Sequence, residues 1–304
     1  MNLGQNLTAL AHKLETETYL INGYYKFIIR DPKVREIQAL SYEDRIVQKA
    51  ICDGFLAEYL EKRLIFDNAA CRKNKGTDFA RNRLKTFLKD YYKKYGTNGY
   101  VLKCDIKKYF DNIDHTILKT KLNTIEDNKI KKILYSIIDS YEKSANKGLP
   151  MGNQTSQWFA LYYLDEVDRL IKEKLHIKYY SRYMDDMILI HHDKVYLKYC
   201  LTQIKYLLEN SLNLSLNNKT KISHIHEGVE YLGFRFLFVK NGKLIIRLRQ
   251  SSKQRIKNKY KKIIENKCIS IKKKKQIIDS YEEYITRCKP KSRVIKLMKN
   301  EKIL

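Results

Sequence analysis

The chain has 304 residues, and its length and composition exclude several classes of protein. Hydrophobic residues make up 43% of it and charged residues 31%, which is typical of a folded globular protein and not of a disordered one. No apolar run approaches the roughly 18–20 residues that a membrane span needs, and no secretory signal begins the chain. We therefore expect a cytoplasmic protein of one large domain or two ordinary ones.

A large positive charge is the first indication of function. Lysine and arginine together number 61 against 34 acidic residues, which gives a net charge of +27. The codon bias of an AT-rich genome favours lysine, but it favours glutamate as well and does not account for the imbalance. An anionic membrane surface is a second possible partner, yet no long amphipathic helix with a basic face stands out. The charge therefore favours nucleic acid as the partner.

The cysteine and histidine residues indicate neither a disulfide framework nor a zinc site. The six cysteines contain no Cys-x-x-Cys pair, and we expect them to be reduced and mostly packed. The pairs His191-His192 and His224-x-His226 have no further partner at ligand spacing. Adjacent residues of a strand also point to opposite faces, so we expect no metal at these histidines.

The first part of the chain predicts a strand, a helix and a second strand. Residues 25–29 are rich in β-favouring apolar side chains and predict a strand. Residues 41–63 carry an apolar stripe at helical spacing, with Ser41 available as a cap. A short apolar run over 100–104 predicts a strand that ends at Asp105.

The second part predicts one more helix, two hairpins and a helical end. An apolar stripe at helical spacing extends from 152 to 171. The strand-like runs 177–183 and 187–191 leave room only for a tight turn, which predicts a hairpin with acidic residues at its tip. The runs 230–236 and 243–247 predict a further hairpin, and the remainder has helical patterning.

The positive charge is concentrated in the last part of the chain. From Lys240 to the end there are 22 lysine and arginine residues against 5 acidic ones, a net charge of +17 in 65 residues. The preceding residues carry the remaining +10. A solvated lysine-rich helix is the alternative, and it would suffice for Lys272–Lys275 alone. Because the basic residues extend over the whole segment, we interpret it as a lobe that grips nucleic acid.

Three aspartates indicate the chemistry. Asp185 and Asp186 are adjacent at a strand turn, where two carboxylates repel each other unless a cation lies between them. Hard divalent cations take oxygen ligands, and Asp105 at the end of its own strand is a natural third ligand. Two Mg²⁺ ions held in this way can activate a 3′-hydroxyl and stabilise the departing pyrophosphate. Mn²⁺ can substitute for Mg²⁺.

The motif Tyr183-Met184-Asp185-Asp186 is the signature of reverse transcriptases, and other blocks of the chain resemble that family. Asp105 is followed five residues later by Phe110, as in the family's first catalytic block. Recognisable blocks run from about Tyr25 to Tyr284. The resemblance implies an α+β right-hand polymerase with fingers, a palm built from an antiparallel sheet and helices, and a basic helical thumb. The implied domains are fingers with an N-terminal segment at 1–99, palm at 100–239 and thumb at 240–304.

The resemblance also assigns roles to individual residues. The implied metal ligands are Asp105, Ile106, Asp185 and Asp186. Lys219 would protonate the leaving pyrophosphate, and Phe110 would lie beneath the incoming sugar and reject a ribose 2′-hydroxyl. The implied contacts to nucleotide and template are Lys33, Arg35, Arg72, Phe110, Met151, Gly152, Gln157, Tyr183 and Met184, and the implied primer grip is Tyr231, Leu232 and Gly233. For Lys33, Arg35 and Arg72 the alternative is an ordinary surface cation.

One block separates lineages within the family. The pattern Gly152-x-x-x-Ser156-Gln157 resembles the enzymes of bacterial diversity-generating retroelements, whereas intron and retroviral enzymes usually have Gln-Gly at this point. Physically, Gly152 allows the backbone to approach the nascent base pair, and the following helix presents Gln157 towards the template–nucleotide pair.

That lineage carries further expectations. It implies error-prone copying of template adenines, influenced by the positions of Arg35 and Met151, and Met151 stands where isoleucine or valine is common. The implied partners are template RNA, primer, cDNA, dNTPs and a small basic accessory protein. Antiphage defence by a related bacterial enzyme is the alternative. A non-catalytic RNA-binding scaffold is a third reading, but it predicts the loss of a catalytic carboxylate, and none is lost.

Overall fold

A computed structural model describes residues 3–30, 34–266 and 268–288 of the chain. Its helices, in chain order, are α1 (Leu3–Glu15), α2 (Tyr42–Ile51), α3 (Ala57–Glu61), α4 (Thr77–Tyr95), α5 (His115–Leu122), α6 (Asn128–Asp139), α7 (Gln154–Tyr163), α8 (Asp165–Arg169), α9 (Lys194–Ser211), α10 (Gln250–Glu265) and α11 (Ile271–Thr286). Its strands are β1 (Tyr24–Ile29), β2 (Arg35–Leu40), β3 (Tyr100–Cys104), β4 (Tyr179–Tyr183), β5 (Asp186–His191), β6 (Lys221–His224), β7 (Val229–Tyr231), β8 (Phe234–Phe238) and β9 (Leu244–Leu248).

These strands form three antiparallel sheets. Strands β1 and β2 make a two-stranded ribbon, and β7, β8 and β9 make a three-stranded sheet. The central sheet has four strands in the order β4-β5-β3-β6. Helices and antiparallel sheets are thus mixed along the chain, as the α+β prediction requires.

The central sheet is covered on both faces, which explains the continuous apolar run of β5. Met187 and Leu189 pack into a core formed with α5 to α9, which we call the main core. Ile188 and Ile190 point the other way, into a second core formed with α4 and the three-stranded sheet. Because both faces of the central sheet are buried, the residues of β5 that point to either face are apolar.

Several predicted elements are confirmed. The strand over 100–104 has the predicted bounds. Ser41 caps the predicted long helix by accepting a hydrogen bond from the Asp44 backbone, and a π-helical segment (Cys52–Leu56) joins α2 to α3. The helical patterning predicted for the end of the described chain is confirmed by α10 and α11, which pack together through Ile256, Tyr260 and Ile285.

Other predicted elements have different bounds in the structure. The run over 230–236 is two strands, since Leu232 and Gly233 take positive φ values of 46° and 86° and make a tight turn. The helix predicted over 152–171 begins at Gln154 and is interrupted after Tyr163, where Leu164 leaves helical geometry with φ −98° and ψ 11°. At the acidic hairpin only Met184 and Asp185 form the turn, and Asp186 already belongs to β5.

Candidate active site

Strand pairing brings two of the three aspartates together. Strand β3 pairs with β5 so that Cys104 lies opposite Met187. Continuing this register by one residue sets Asp105 opposite Asp186, at the same end of the central sheet. The two aspartates are more than eighty positions apart in the chain, and they line the same cleft.

The third aspartate lies on the turn that precedes β5. Tyr183 pairs with Asp186 across a two-residue turn formed by Met184 and Asp185. Met184 has a φ of 53°, a left-handed conformation that is uncommon outside glycine and that tight hairpin turns require at their first central residue. The half-buried side chains of Tyr183 and Met184 pack against the main core, which holds the turn in place.

Asp186 is placed where its negative charge is poorly stabilised. Its Oδ1 atom is buried and has no hydrogen-bond partner among the described residues, while Oδ2 lies 3.2 Å from Lys103 Nζ. The pKa of Asp186 is raised to about 6, chiefly by burial, which acts against the attraction of Lys103 and is reinforced by repulsion from Asp185 and Asp105. The site therefore favours an additional positive charge beside Asp186.

The donors at this position fit a hard divalent cation. An unpartnered carboxylate oxygen with two further carboxylates nearby is the kind of oxygen-rich site that Mg²⁺ and Mn²⁺ occupy. Within the described part of the chain, no three side chains of metal-binding type form a ready-made cluster. The ligand assignment of Asp105, Ile106, Asp185 and Asp186 accordingly stays a prediction.

Lys219 reaches the same cleft from a loop that is tied to Asp105. The Asn217 backbone donates to the Asp105 carbonyl at 2.7 Å, and the Asp105 backbone donates to Thr220 Oγ1 at 3.4 Å. Ile106 forms an isolated bridge with Leu216 in the same loop. The exposed Lys219 therefore lines a cleft of about 530 Å³, which we call the catalytic cleft. The other charged residues lining it are Lys103, Asp105, Asp186, Lys221, Glu227, Glu230, Arg235 and Arg249.

The loop before α7 packs beside Phe110. The Leu149 backbone donates to the Phe110 carbonyl at 2.8 Å, and the Phe110 ring is half-buried against the main core. Gly152 has a φ of 122°, and a Cβ there would lie 3.2 Å from Ile37 Cγ2, so the loop passes closely over β2. Gln157 follows within α7 and is half-buried.

Arg35 and Met151 line one small cleft of about 170 Å³. Asp111, next to Phe110, lines the same cleft. These two residues, which the family resemblance links to copying errors, are more than a hundred positions apart in the chain but line the same cleft. Lys33 lies outside the described residues.

The predicted primer grip lies at the turn that joins β7 to β8 in the three-stranded sheet. Tyr231 is buried, and burial raises its pKa above the ordinary value. Gly233 has a φ of 86°, and a Cβ there would lie only 2.4 Å from Tyr284 Oη. The turn therefore exposes Leu232 and Gly233 in part and packs against the last described helix, while the Tyr231 ring faces the interior. A primer contact by these residues stays a prediction.

Arg72 is engaged inside its own loop. Its guanidinium donates to both carboxylate oxygens of Glu61, at 2.6 and 2.7 Å, and to the carbonyls of Ile65 and Asn68. The side chain is 4% exposed. A contact with a nucleotide would require the guanidinium of Arg72 to leave these partners. The substrate role of Arg72 stays a prediction. In the structure its hydrogen bonds order the loop.

Sequence reasoning missed a buried ion pair that supports the acidic turn. Arg182 is fully buried and forms a two-point salt bridge with Asp168 of α8, at 2.6 and 2.8 Å. It also donates to the Met184 carbonyl at 2.9 Å, and Tyr180 donates to Asp168. Burial opposes the charge of Arg182, but attraction to Asp168 outweighs burial and raises its pKa.

A sequence signal for this pair was present. Arg182 interrupts an otherwise buried strand, and Asp168 falls in the apolar stripe between Leu164 and Ile171. Charges that occur at positions of buried patterning almost always have a partner. The sequence therefore indicates that each of these two charges has a buried partner, without identifying which residue that partner is.

The mixed helices and antiparallel sheets around the cleft make up the fold of an α+β polymerase. The reverse transcriptase (RNA-dependent DNA polymerase) family matches residues 30–236, which is more than half of the chain. The chain therefore belongs to the reverse transcriptase family and is an RNA-directed DNA polymerase.

Individual proteins are also similar to this chain. The Escherichia coli (strain K12) protein named Protein YkfC is 24% identical in an alignment that covers 77% of this chain and 74% of that protein. Telomerase from Candida albicans, solved with a TWJ fragment of telomeric RNA, is similar in fold with a TM-score of 0.57 and 12% identity over 81% of this chain. Apo telomerase from Candida tropicalis, truncated from its C-terminal domain, has a TM-score of 0.55 and 16% identity over 79% of this chain.

The likeness to the telomerases concerns the fold alone. This chain covers 51% and 60% of those two solved chains. Among the residues that the structure describes, no helix is long and apolar enough to cross a lipid bilayer.

Proposed function

We propose that this chain copies an RNA template into cDNA in the catalytic cleft, with Asp105, Asp185 and Asp186 holding two Mg²⁺ ions. The observation that carries the proposal is the register that sets Asp105 opposite Asp186, beside the turn that bears Asp185. Ile106 completes the proposed ligand set, and Mn²⁺ can replace Mg²⁺. When bound, such ions activate the primer 3′-hydroxyl and stabilise the departing pyrophosphate.

The chain's own residues position the substrates around these carboxylates. Lys219 lies at the rim of the catalytic cleft, where we propose that it donates a proton to the pyrophosphate. We propose that Phe110 lies beneath the sugar of the incoming dNTP and that Gly152 and Gln157 contact the nascent base pair. We propose a division into fingers (1–99), palm (100–239) and thumb (240–304), in which β9 at the start of the thumb pairs with β8 at the end of the palm.

Primer extension by the wild-type protein tests this proposal. The protein should extend a DNA primer on an RNA template in the presence of Mg²⁺ and dNTPs, and EDTA should stop the reaction. Ribonucleotides should be poor substrates, since Phe110 would meet their 2′-hydroxyl. A protein that binds the primer–template but incorporates no nucleotide under Mg²⁺ or Mn²⁺ would instead be an RNA-binding scaffold.

Lys103 competes with a metal ion for Asp186, and this predicts a change in metal requirement. We expect Lys103→Met to lower the Mg²⁺ concentration for half-maximal incorporation by about two- to fivefold, the range of a partly exposed ion pair. The measurement is a Mg²⁺ titration of initial rate. Lys221→Met is the matched control, because Lys221 pairs with Lys103 across the sheet and lines the same cleft. An equal shift in both variants would mean that the general charge of the cleft is responsible.

We further propose that the enzyme serves a diversity-generating retroelement and copies template adenines with errors. The Gly152-x-x-x-Ser156-Gln157 pattern supports the lineage. The shared cleft of Arg35 and Met151 beside Asp111 supports a common effect of these two residues on the template–nucleotide pair. A small basic accessory protein and a structured template RNA are the proposed partners, in the cytoplasm of a bacterium.

Sequencing of cDNA tests the lineage. We expect errors made on an RNA template to concentrate at template adenines, and we expect Arg35→Ala and Met151→Ile to change the ratio of adenine errors to all others. Ala substitution of the exposed Lys26 in the same ribbon is the control. An error rate that is equal at the four bases would favour the antiphage-defence alternative, which the gene neighbourhood can also distinguish.

A further inference from the structure

We propose that helix α4 and the β8–β9 hairpin form a second nucleic-acid site, which binds a single-stranded segment of RNA outside the catalytic cleft. The site is a groove of about 590 Å³ lined by Lys85, Lys89, Tyr92, Lys93, Phe238 and Lys243, with Gly242 and Leu244. We call it the α4 groove. None of its lining residues lines the catalytic cleft. The proposal concerns RNA that is not being copied, and it therefore goes beyond the proposed function.

One wall of the α4 groove is a column of lysines. Lys85, Lys89 and Lys93 recur at four-residue intervals on α4, so they lie on one face at steps of about 6 Å. Lys243 lies on the opposite wall, and the lining contains no carboxylate. Lys93 pairs with Asp90 at 3.8 Å, but both side chains are exposed and such a pair is weak in water. The groove can therefore follow several phosphates of a backbone.

The floor of the groove is aromatic. The rings of Tyr92 and Phe238 stack with centroids 4.5 Å apart and planes 20° apart, and both residues are half-buried. Gly242 has a φ of 74°, and a Cβ there would lie 2.6 Å from Tyr92 Oη, so the hairpin turn packs directly against this ring. The two rings are thus held in a fixed orientation before any ligand binds.

This combination favours a single strand of RNA over other anionic partners. Unpaired bases stack on aromatic side chains while lysines follow the phosphates, whereas the bases of a duplex are covered by their neighbours. An acidic peptide would satisfy the lysines but would gain little from two stacked rings. The polymerase already handles RNA, and a site remote from its carboxylates can hold a segment that flanks the copied region.

A binding experiment with the full chain tests the α4 groove. The catalytic cleft is first saturated with an RNA–DNA primer–template, and binding of a fluorescent single-stranded RNA of about 12 nucleotides is then followed by anisotropy at several salt concentrations. We expect Lys89→Ala/Lys93→Ala to weaken binding about tenfold and to reduce the slope of log K against log salt by about 1.4, since each phosphate contact on a single strand contributes about 0.7.

The matched control is Lys198→Ala/Lys205→Ala on α9. It removes the same charge from an exposed helix face, and Lys205 pairs with Glu209 at 3.8 Å just as Lys93 pairs with Asp90. We expect little change in this control. Equal losses in the two double variants would overturn the proposal, because binding would then depend on overall charge alone.

Phe238→Leu tests the aromatic floor separately. It keeps an apolar side chain, so we expect about fivefold weaker RNA binding with an unchanged salt slope. Primer extension on a short primer–template should be unaffected in all of these variants, and their melting temperatures show whether they are folded. Competition by a duplex RNA as strong as that by the single strand would overturn the proposal. Stronger competition by an acidic peptide would identify a protein partner and would also overturn it.

Discussion

Replacing Asp186 with asparagine is expected to abolish dNTP incorporation and, at the same time, to raise the melting temperature of the metal-free protein. Asp186 Oδ1 is buried without a hydrogen-bond partner in the described part of the chain, and burial together with Asp185 and Asp105 raises the pKa of Asp186 to about 6. Asparagine removes the charge that the fold disfavours. It also removes a carboxylate that the proposed metal ions require.

The size of the stabilisation follows from the pKa shift. A rise from 3.8 to about 6 corresponds to at most about 3 kcal/mol, and the loss of the Lys103 ion pair and the partial exposure of the side chain reduce this to about 1–2 kcal/mol. We expect an increase in melting temperature of roughly 2–5 °C in EDTA. Asp139→Asn, at a carboxylate paired with Lys119 on the surface, is the control and should change neither quantity.

The pH dependence gives a second check on the same variant. A raised pKa in the folded state means that Asp186 contributes stability at low pH, and this contribution is lost as the pH rises through about 6. The advantage of Asp186→Asn over the wild type should therefore be largest above pH 6 and should shrink towards about pH 4. The interpretation fails if the variant is less stable than the wild type at neutral pH, or if it retains incorporation. RNA binding should persist in either case.

Replacing Arg182 with methionine is expected to lower the free energy of unfolding more than any of the other single substitutions. The substitution leaves Asp168 as a buried charge without its partner, which typically costs about 3–5 kcal/mol. We expect the melting temperature to fall by roughly 10 °C. The exposed pair Arg169–Glu173, at 3.3 Å, provides the control, because Arg169→Met should cost at most about 1 kcal/mol.

A double variant separates stability from the positioning of the acidic turn. Arg182→Met/Asp168→Leu removes both buried charges and should recover much of the stability. It does not restore the hydrogen bond from Arg182 to the Met184 carbonyl, which holds the turn bearing Asp185. We therefore expect incorporation to stay well below the wild-type rate in the refolded double variant. Full recovery of incorporation would show that Arg182 contributes only to stability.

Local patterns in the sequence were sufficient for much of the fold. The apolar run of β3 has the predicted bounds because a buried strand between polar neighbours has clear ends. Apolar patterning did not mark the strand boundary at Leu232 and Gly233, because a leucine with positive φ has no distinctive sequence signal. The family resemblance, in contrast, identified this segment as the primer-grip turn. The interruption after Tyr163 was missed for a similar reason, since no glycine or proline marks it.

For the site, the sequence by itself determined the three aspartates, the tight turn that carries two of them and the excess of positive charge. These are local features, since adjacent carboxylates between two strands are visible in the chain alone. Only the tertiary structure decided which distant residues meet. The register of β3 on β5 sets Asp105 opposite Asp186, and the packing of α8 against β4 buries Asp168 with Arg182. Such contacts depend on how elements far apart in sequence pack, and no local pattern encodes their distance.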